Sequence, residues 1–226
     1  FAIIYKVKQN LSLEFSYGKH NQFIHRLGKE NNSNFNINSR ILSSSKIPTI
    51  LSKNFQSGIN WNKNDYNFST TFYFKNLSNF FNLNRSFSLE DILSYNNEII
   101  NLGYGKIRGF EIQFRKKSGM ITGWVSYHNS NTKYQMPNFN EGQPFFADHD
   151  KNHELKTVIL GKIFEINLSA SWVFSSGRPF TNLENLYVES GTGYEIFSKG
   201  GYNNERIKSS HHLDISLLKN FKISKV

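Results

Sequence analysis

The densest group of residues able to do acid–base or metal chemistry lies at residues 148–154. His149 and His153 stand among Asp148, Asp150 and Glu154, so the segment offers imidazole and carboxylate ligands. On a helix, two histidines four residues apart would share one face, as they do in helical zinc sites. The flanking sequence predicts instead the end of a loop and the start of a strand, where that spacing loses its meaning. We therefore predict no metal ion and no cofactor.

The sequence offers no nucleophile to go with these groups. It has no Gly-x-Ser-x-Gly elbow, and it has no cysteine, which excludes thiolate catalysis, thiolate metal sites and disulfides. The formal net charge is +10, but the basic residues are spread along the chain and form no basic stripe. This distribution is more typical of a solvated surface than of a nucleic-acid interface, and attraction to an anionic lipid surface is an alternative. We predict a protein that is not an enzyme and does not bind nucleic acid.

Residues 105–127 show how the chain would position polar groups. Phe110 and Ile112 alternate strictly with Glu111 and Gln113. Successive side chains of a strand point to opposite faces, so a period of two predicts a strand with one apolar and one polar face. A Lys-Ser-Gly turn follows, and a second strand starts directly after it, which together predict a hairpin.

The same alternation recurs along the whole chain. It predicts nine strands, at residues 1–8, 11–18, 55–61, 66–75, 109–115, 120–127, 154–161, 166–174 and 213–217. Short turns alternate with long polar loops. The turns are predicted at residues 9–10, 62–65, 117–119 and 162–164, and the loops at 20–52, 81–103, 132–151 and 181–208. The pattern indicates a single all-β antiparallel unit.

A soluble β-sandwich, adhesin or binding module would also alternate, because an antiparallel sheet can bury one face and solvate the other. Three features favour a transmembrane barrel: aromatic residues near the strand ends, strictly alternating short and long connections, and strands near the roughly 9–11 residues that a tilted membrane strand requires. A mean hydropathy of −0.52 fits this interpretation, since alternation averages the apolar residues away. A barrel enzyme of protease or lipase type is a further alternative.

In a barrel, charged strand residues must face water or protein, because a charge facing lipid at the midplane costs about 2–4 kcal/mol. They would either meet a plug inside the barrel or line a wet wall. The residues predicted to face the lumen are Glu14, Lys75, Glu111, Gln113, Arg115, Lys156 and Glu165.

The loop at residues 181–208 combines aromatic residues with several glycines. Aromatic side chains supply large contact areas with a polar tip, and glycines allow a loop to reorder. The alternative is that the aromatic residues pack on one another. The residues predicted to contact a ligand are Tyr187, Tyr194, Phe197 and Tyr202.

Four segments, in this order, carry a resemblance to a known family: residues 11–27, 105–127, 153–181 (with Ser-Gly-Arg-Pro-Phe-Thr at 176–181) and 204–221 (with His-Leu-Asp-Ile-Ser at 212–216). They resemble the C-terminal barrel portion of TonB-dependent outer-membrane receptors. The family barrel has 22 strands and a plugged lumen. The resemblance implies that residues 1–226 are part of such a β-barrel domain, contributing about nine strands, and that the plug domain and the signal peptide lie outside this chain.

The resemblance also implies a location and partners. The expected location is the bacterial outer membrane, with the short turns in the periplasm and the long loops outside the cell. The expected partners are the plug domain of the same full-length receptor, a TonB-type energising protein bound through a segment outside this chain, outer-membrane lipid, a surface lipoprotein and an imported ligand. The ligand classes are siderophores, vitamins, glycans and peptides, and the expected function is their energised uptake.

Overall fold

The computed structural model describes residues 1–27, 39–44, 47–83, 100–137, 139–188, 195–199 and 201–221, which are almost entirely β-structure. The strands are β1 (Ala2–Lys8), β2 (Leu11–Gln22), β3 (Ile24–Leu27), β4 (Ser39–Leu42), β5 (Ile50–Lys63), β6 (Tyr66–Leu83), β7 (Ile100–Lys116), β8 (Ile121–Gln135), β9 (Phe145–Phe146), β10 (His153–Ile163), β11 (Ile166–Ser175), β12 (Pro179–Phe180), β13 (Leu183–Val188), β14 (Glu195–Lys199), β15 (Glu205–Arg206) and β16 (Ser210–Lys219). One 3₁₀ turn covers Asn140–Gly142. Among these residues no helix has the length and apolar character needed to cross a membrane.

Nine strands form one continuous antiparallel sheet in the order β1-β2-β5-β6-β7-β8-β10-β11-β16, with β9 paired to β8 at one end. We call these nine strands the wall. Each of them pairs with the next one in chain order, so the short connections lie at one edge of the sheet and the long connections at the opposite edge. The predicted all-β antiparallel fold and its nine strands are confirmed. Within the described ranges the sheet does not close on itself.

The short turns are built by residues that accept a positive φ. Asn64 has a φ of 51° and Gly119 a φ of 108°, and both residue types enter this region readily. Phe164, with a φ of 54°, is less usual and stands fully exposed at a turn tip. Ile163 pairs with Ile166, so the turn consists of Phe164 and Glu165 rather than residues 162–164. Glu165 therefore lies in the turn and not on the strand where we predicted it.

Several strands are longer than the alternation predicts. β6 has 18 residues and β7 has 17, and β8 continues to Gln135 although residue 132 was predicted to begin a loop. The extra residues of β8 are mostly polar, but their backbone groups still gain partners in the adjacent strand. Backbone pairing between strands thus continues beyond the end of the apolar alternation. The predicted loop boundaries at 132 and at 81–103 were therefore wrong by several residues. Residues 84–99 of the latter loop lie outside the described part of the chain.

The wall has two chemically different faces. The face of Phe110 and Ile112, called the apolar face, leaves large side chains exposed, including Phe72 at 52% and Leu217 at 69%. The opposite face, called the polar face, carries every Asp and Glu of the nine strands: Glu14, Glu111, Glu154 and Asp214.

The buried hydrophobic residues lie away from these faces. Among the described residues they are Ile47, Met136, Phe145 and Ala147, all in or beside the long connections. The wall is therefore not a sheet packed on a core of its own.

Candidate functional site

The polar face brings three carboxylates into one cross-strand row. The register aligns Glu14, Glu111 and Glu154 across the sheet, with His128 between the last two. Ser126 Oγ donates a hydrogen bond to Glu111 Oε1 at 3.3 Å. These residues place carboxylate, imidazole and hydroxyl groups in and beside one row along the wall.

Lys156 supplies a positive charge to this row. Its ammonium lies 2.6 Å from Glu154 Oε1, and Lys151 lies 3.5 Å from the other oxygen of the same carboxylate. All three side chains keep contact with solvent, so the ion pairs are partly screened and contribute little stability. Their role is to set the local charge of the polar face, where one carboxylate is neutralised by two flanking ammonium groups.

Tyr73 links three strands on the polar face. Its hydroxyl lies 2.7 Å from His128 Nε2, and the two rings stack with centroids 5.9 Å apart. Tyr73 is on β6 and His128 is on β8, so the side chain must cross β7. It does so over Gly109, its cross-strand partner, where a Cβ would overlap the tyrosine ring. Glycine at this position permits the contact.

Six of the seven predicted lumen residues lie on the polar face: Glu14, Lys75, Glu111, Gln113, Arg115 and Lys156. Lys75 lies 5.6 Å from the centroid of the Tyr73 ring. Glu165 lies at the tip of a short turn instead. That this face lines a lumen or meets a plug stays a prediction.

A buried ion pair joins two of the long connections. The Asp150 side chain has no solvent exposure, and Arg206 donates a short charge-assisted hydrogen bond to its Oδ2. Arg206 also donates to the Asn152 side chain and the Gly177 carbonyl, each at 3.0 Å, while the Thr132 backbone N–H donates to Asp150 Oδ1 at 2.6 Å. Both charges are thus compensated by several polar partners, as a buried pair requires.

Asn203 and Tyr202 extend this junction. Asn203 Nδ2 donates to Asp148 Oδ1 at 2.7 Å and to the Phe146 carbonyl at 2.6 Å, and the Tyr202 hydroxyl donates to Asp148 Oδ1 at 3.2 Å. The Tyr202 ring packs edge-on against Phe145 with centroids 5.1 Å apart. We call Asp148, Asp150, Tyr202, Asn203 and Arg206 the loop anchor, because they tie the connection at 136–152 to the connection at 176–209.

The loop anchor accounts for the two aspartates of the acid–base group at residues 148–154. Asp148 and Asp150 accept hydrogen bonds from Asn203 and Arg206, and His153 Nδ1 lies 2.7 Å from the Tyr127 hydroxyl. In the part of the chain that the structure describes, no three His, Asp or Glu side chains converge as a metal site would need. Sequence reasoning missed Arg206, because a single arginine in a polar loop gives no signal of its partner 56 residues away.

The four predicted ligand-contact residues fall in different places. Tyr202 belongs to the loop anchor, where its ring packs on Phe139 and Phe145 of the other connection. Tyr187 and Phe197 lie on the hairpin of β13 and β14, whose pairing starts at Leu183 and Lys199. Tyr194 lies outside the described residues. Ligand contact by any of the four stays a prediction.

Lysines mark both ends of the apolar face. On β5, Lys53 and Lys63 are ten residues apart, and on β7, Lys106 and Lys116 have the same spacing. The strand residues between them on this face are mostly aromatic or aliphatic, with Arg108 near the long-connection end. No Asp or Glu occurs on this face of the nine strands. The result is an apolar band bounded by cations.

Comparison with solved structures identifies the fold. The FrpB iron transporter from Neisseria meningitidis (F3-3 variant) matches with a TM-score of 0.61 and 10% identity, over 97% of this chain and 31% of that one. The ferripyoverdine receptor of the Pseudomonas aeruginosa outer membrane matches with 0.61 and 11%, over 96% and 26%. The ferric-catecholate import receptor Fiu from E. coli K12 matches with 0.61 and 11%, over 98% and 28%.

This chain spans between about a quarter and a third of the length of each of these three proteins. No protein-family model and no curated protein sequence matches the chain. At this level of identity the likeness establishes the fold alone. The predicted fold, part of an antiparallel β-barrel of the kind these outer-membrane proteins have, is confirmed.

Proposed function

We propose that this chain forms part of the wall and the extracellular loops of an outer-membrane transporter that takes up a scarce ligand with TonB-type energy coupling. The apolar face contacts lipid and the polar face lines the lumen. The observation that carries the proposal is the acid-free apolar face, bounded by lysines at the same ten-residue spacing on two strands.

The spacing of these lysines fits a bilayer. Ten residues of extended strand span about 33 Å, and a tilt of about 40° reduces the height to about 25 Å. This height equals that of the apolar band of outer-membrane barrels, about 25 Å. Lysines at its two limits can extend their ammonium groups to the headgroups while their stems stay in the apolar layer. The bacterial outer membrane is therefore the proposed location.

The polar face and the long connections fit the remaining parts of a receptor. A plug domain of the same full-length protein would meet the row of Glu14, Glu111 and Glu154, and an energising protein would act through that plug. The long connections, joined by the loop anchor, would contact the imported ligand or a surface lipoprotein. The solved neighbours are named for iron transport, ferripyoverdine and ferric-catecholate import. This makes a ferric chelate the first ligand to test, ahead of vitamins, glycans and peptides.

An outer-membrane protease or lipase is the rival function, and the contacts of the titratable residues do not favour it. Two histidines of the wall, His128 and His153, each have a ring nitrogen 2.7 Å from a tyrosine hydroxyl. The sequence also has no Gly-x-Ser-x-Gly elbow, which would present a serine nucleophile.

Uptake by the complete protein tests the proposal. Cells that carry or lack its gene would be given a ferric catecholate labelled with radioactive iron at limiting concentration. We expect accumulation only in the cells that carry the gene, and only while the energy coupling is intact. Equal accumulation in both strains, across ferric chelates, vitamins, glycans and peptides, would contradict the transporter function.

A further inference from the structure

The polar face carries an apolar patch close to the short turns. Trp124 on β8 pairs across the strands with Val158 on β10, and Leu160 lies two residues further along the same face of β10. The Leu160 side chain is 48% exposed, and Trp124 is half-buried. The Cα atoms of Trp124 and Leu160 are about 8 Å apart, from one strand spacing and two residues of rise. The patch is wide enough to receive a flat ring.

Two cations border this patch. Arg115 on β7 pairs with Trp124 across the strands, and Lys162 lies two residues beyond Leu160. Both cations are exposed, and neither forms an ion pair with a described residue. The Trp124 indole N–H also has no hydrogen-bond acceptor in the described part of the chain. Apolar area is therefore surrounded by hydrogen-bond donors that the wall itself does not use.

The carboxylates of the polar face lie away from the patch. Glu111 is four residues from Arg115 along β7, towards the long connections, and Glu154 is displaced in the same direction on β10. Lys151 and Lys156 already contact Glu154. Asp214 on β16 lies three strands away from β8. The local charge of the patch is thus positive, although the row of carboxylates beside it is acidic.

We infer that Arg115, Trp124, Leu160 and Lys162 form a binding site for an anion that carries an aromatic ring. We call these four residues the transit site, because they would bind the imported ligand on its passage along the polar face. The inference rests on the proposed function, since it requires that the polar face line the path of transport. It adds to that function a second point of ligand contact, inside the barrel.

The chemistry of the transit site selects this class of ligand. The indole of Trp124 offers a flat apolar surface on which an aromatic ring can stack. The Arg115 guanidinium is a planar fork of donors that suits two oxygen atoms of one anion, and Lys162 adds a second charge on a flexible stem. A cationic ring would be repelled by both side chains, and an uncharged ring would leave their charges unused.

The position of the transit site separates it from ligand capture. Arg115 directly precedes Lys116, which marks the short-turn limit of the apolar band, whereas the loop anchor lies at the opposite edge of the sheet. In the proposed orientation, an imported anion would meet the long connections first and the transit site last. Contacts on such a path must be favourable enough to admit the ligand and weak enough to release it. Exposed charges and a half-buried ring meet this requirement.

The direct test is fluorine NMR of the complete protein, labelled with fluorotryptophan and purified in detergent. The Trp124 resonance is the one that Trp124→Phe removes. Salicylate is the anionic probe, and phenol and benzylammonium are its uncharged and cationic counterparts. We expect salicylate alone to shift the Trp124 resonance, and to do so in a saturable manner. The resonance of Trp172, which lies on the apolar face, should not move.

A matched pair of variants tests the role of the two cations. Arg115→Gln combined with Lys162→Gln should weaken salicylate binding by roughly tenfold, because two charge-assisted contacts are lost. Lys6→Gln combined with Lys75→Gln removes the same charge from the polar face outside the transit site, and should change the affinity by little. Equal weakening by both pairs, or an equal response to phenol or benzylammonium, would overturn the inference. So would a Trp124 resonance that does not respond to salicylate, the result expected if a segment of the plug covers the patch.

Uptake measurements separate this inference from the proposed function. With a radiolabelled ferric catecholate, Arg115→Gln combined with Lys162→Gln should leave binding to de-energised cells unchanged and lower the uptake rate severalfold. An unchanged uptake rate would overturn the transit role. Absence of uptake by the unmodified protein would instead contradict the proposed function, and a saturable salicylate response would then still establish the site. Far-ultraviolet circular dichroism and heat-modifiable gel mobility establish that the variants are folded.

Discussion

Arg206 and Asp150 form an ion pair in which the carboxylate is completely buried, although 56 residues separate them in the chain. Arg206 lies in β15 and Asp150 lies three residues before the start of β10, so the pair closes the connection at 176–209 onto the connection at 136–152. The nearby Phe146 ring lies 4.7 Å from the guanidinium and shields it. Since the buried apolar residues are concentrated in the same region, the ends of these connections have a packed structure rather than a solvated one.

Removing Arg206 should therefore open this junction. Among the described residues, Arg206→Met leaves the buried Asp150 carboxylate with the Thr132 N–H as its one hydrogen-bond partner. We expect a loss of about 3 kcal/mol in the free energy of local opening, the low end for a broken buried pair because Arg206 is a quarter exposed. Hydrogen exchange of the peptide that contains the Thr132 amide measures this loss.

Two further variants establish the cause. Lys208→Met removes an exposed cation from the same connection and should change exchange by little. Asp150→Asn combined with Arg206→Met should recover part of the loss, because no unpaired charge remains buried. If Lys208→Met and Arg206→Met accelerated exchange equally, the ion pair would not be what holds the two connections together.

The two faces of the wall predict opposite responses to a new charge. Ile112 lies on the apolar face and Gln113 on the polar face, both between Lys106 and Lys116. Ile112→Arg should destabilise the barrel by about 2–4 kcal/mol, since it places a charge in the middle of the lipid layer. Gln113→Arg should cost much less. Urea titration of the complete protein folded into vesicles compares the two, and similar losses would mean that the faces are assigned wrongly.

The absence of cysteine allows a direct test of orientation. Ser118 lies in a short turn and Glu141 in the connection between β8 and β9, at opposite edges of the sheet. In the complete protein on intact cells, an impermeant maleimide should label Glu141→Cys and not Ser118→Cys. After the cells are lysed, both should react. Labelling of Ser118→Cys alone on intact cells would reverse the orientation proposed for the wall.

The wall was predictable from sequence because its rule is local. Phe110, Glu111 and Ile112 alternate whatever the rest of the chain does, and a residue's face follows from its place in the strand. The strand ends were harder to predict, because pairing of β7 with β8 continues through the polar residues from Asn129 to Gln135. There the backbone partner, and not the side chain, decides the structure.

The loop anchor was not predictable from sequence because its contacts are not local. Asp148 and Asp150 were recognised as chemically capable, but their partners Asn203 and Arg206 are distant in sequence and occur in a stretch without any pattern. The transit site is an intermediate case. Each of its residues is visible in the sequence, but the pairing of Arg115 with Trp124 depends on a register that only the structure provides.

The hairpin of β13 and β14 should be separable from the wall and the loop anchor, and its removal tests ligand contact by Tyr187 and Phe197. Its pairing starts at Leu183 and Lys199, so a short Gly-Ser linker can replace residues 184–198 and leave Tyr202 and Arg206 in place. Loop excision changes closure entropy by little, so assembly and surface abundance should be unchanged.

Uptake of a ferric catecholate at limiting concentration should fall severalfold in this variant, because aromatic contact area is lost. The double substitution Tyr187→Ser and Phe197→Ser should reproduce part of the loss without shortening the chain. Tyr202→Phe serves as the control, since it keeps the ring against Phe145 and removes only the hydroxyl that bonds Asp148. Unchanged uptake in the hairpin variant, at normal surface abundance, would show that this hairpin does not contact the ligand, whereas a loss in Tyr202→Phe alone would locate the contact in the loop anchor.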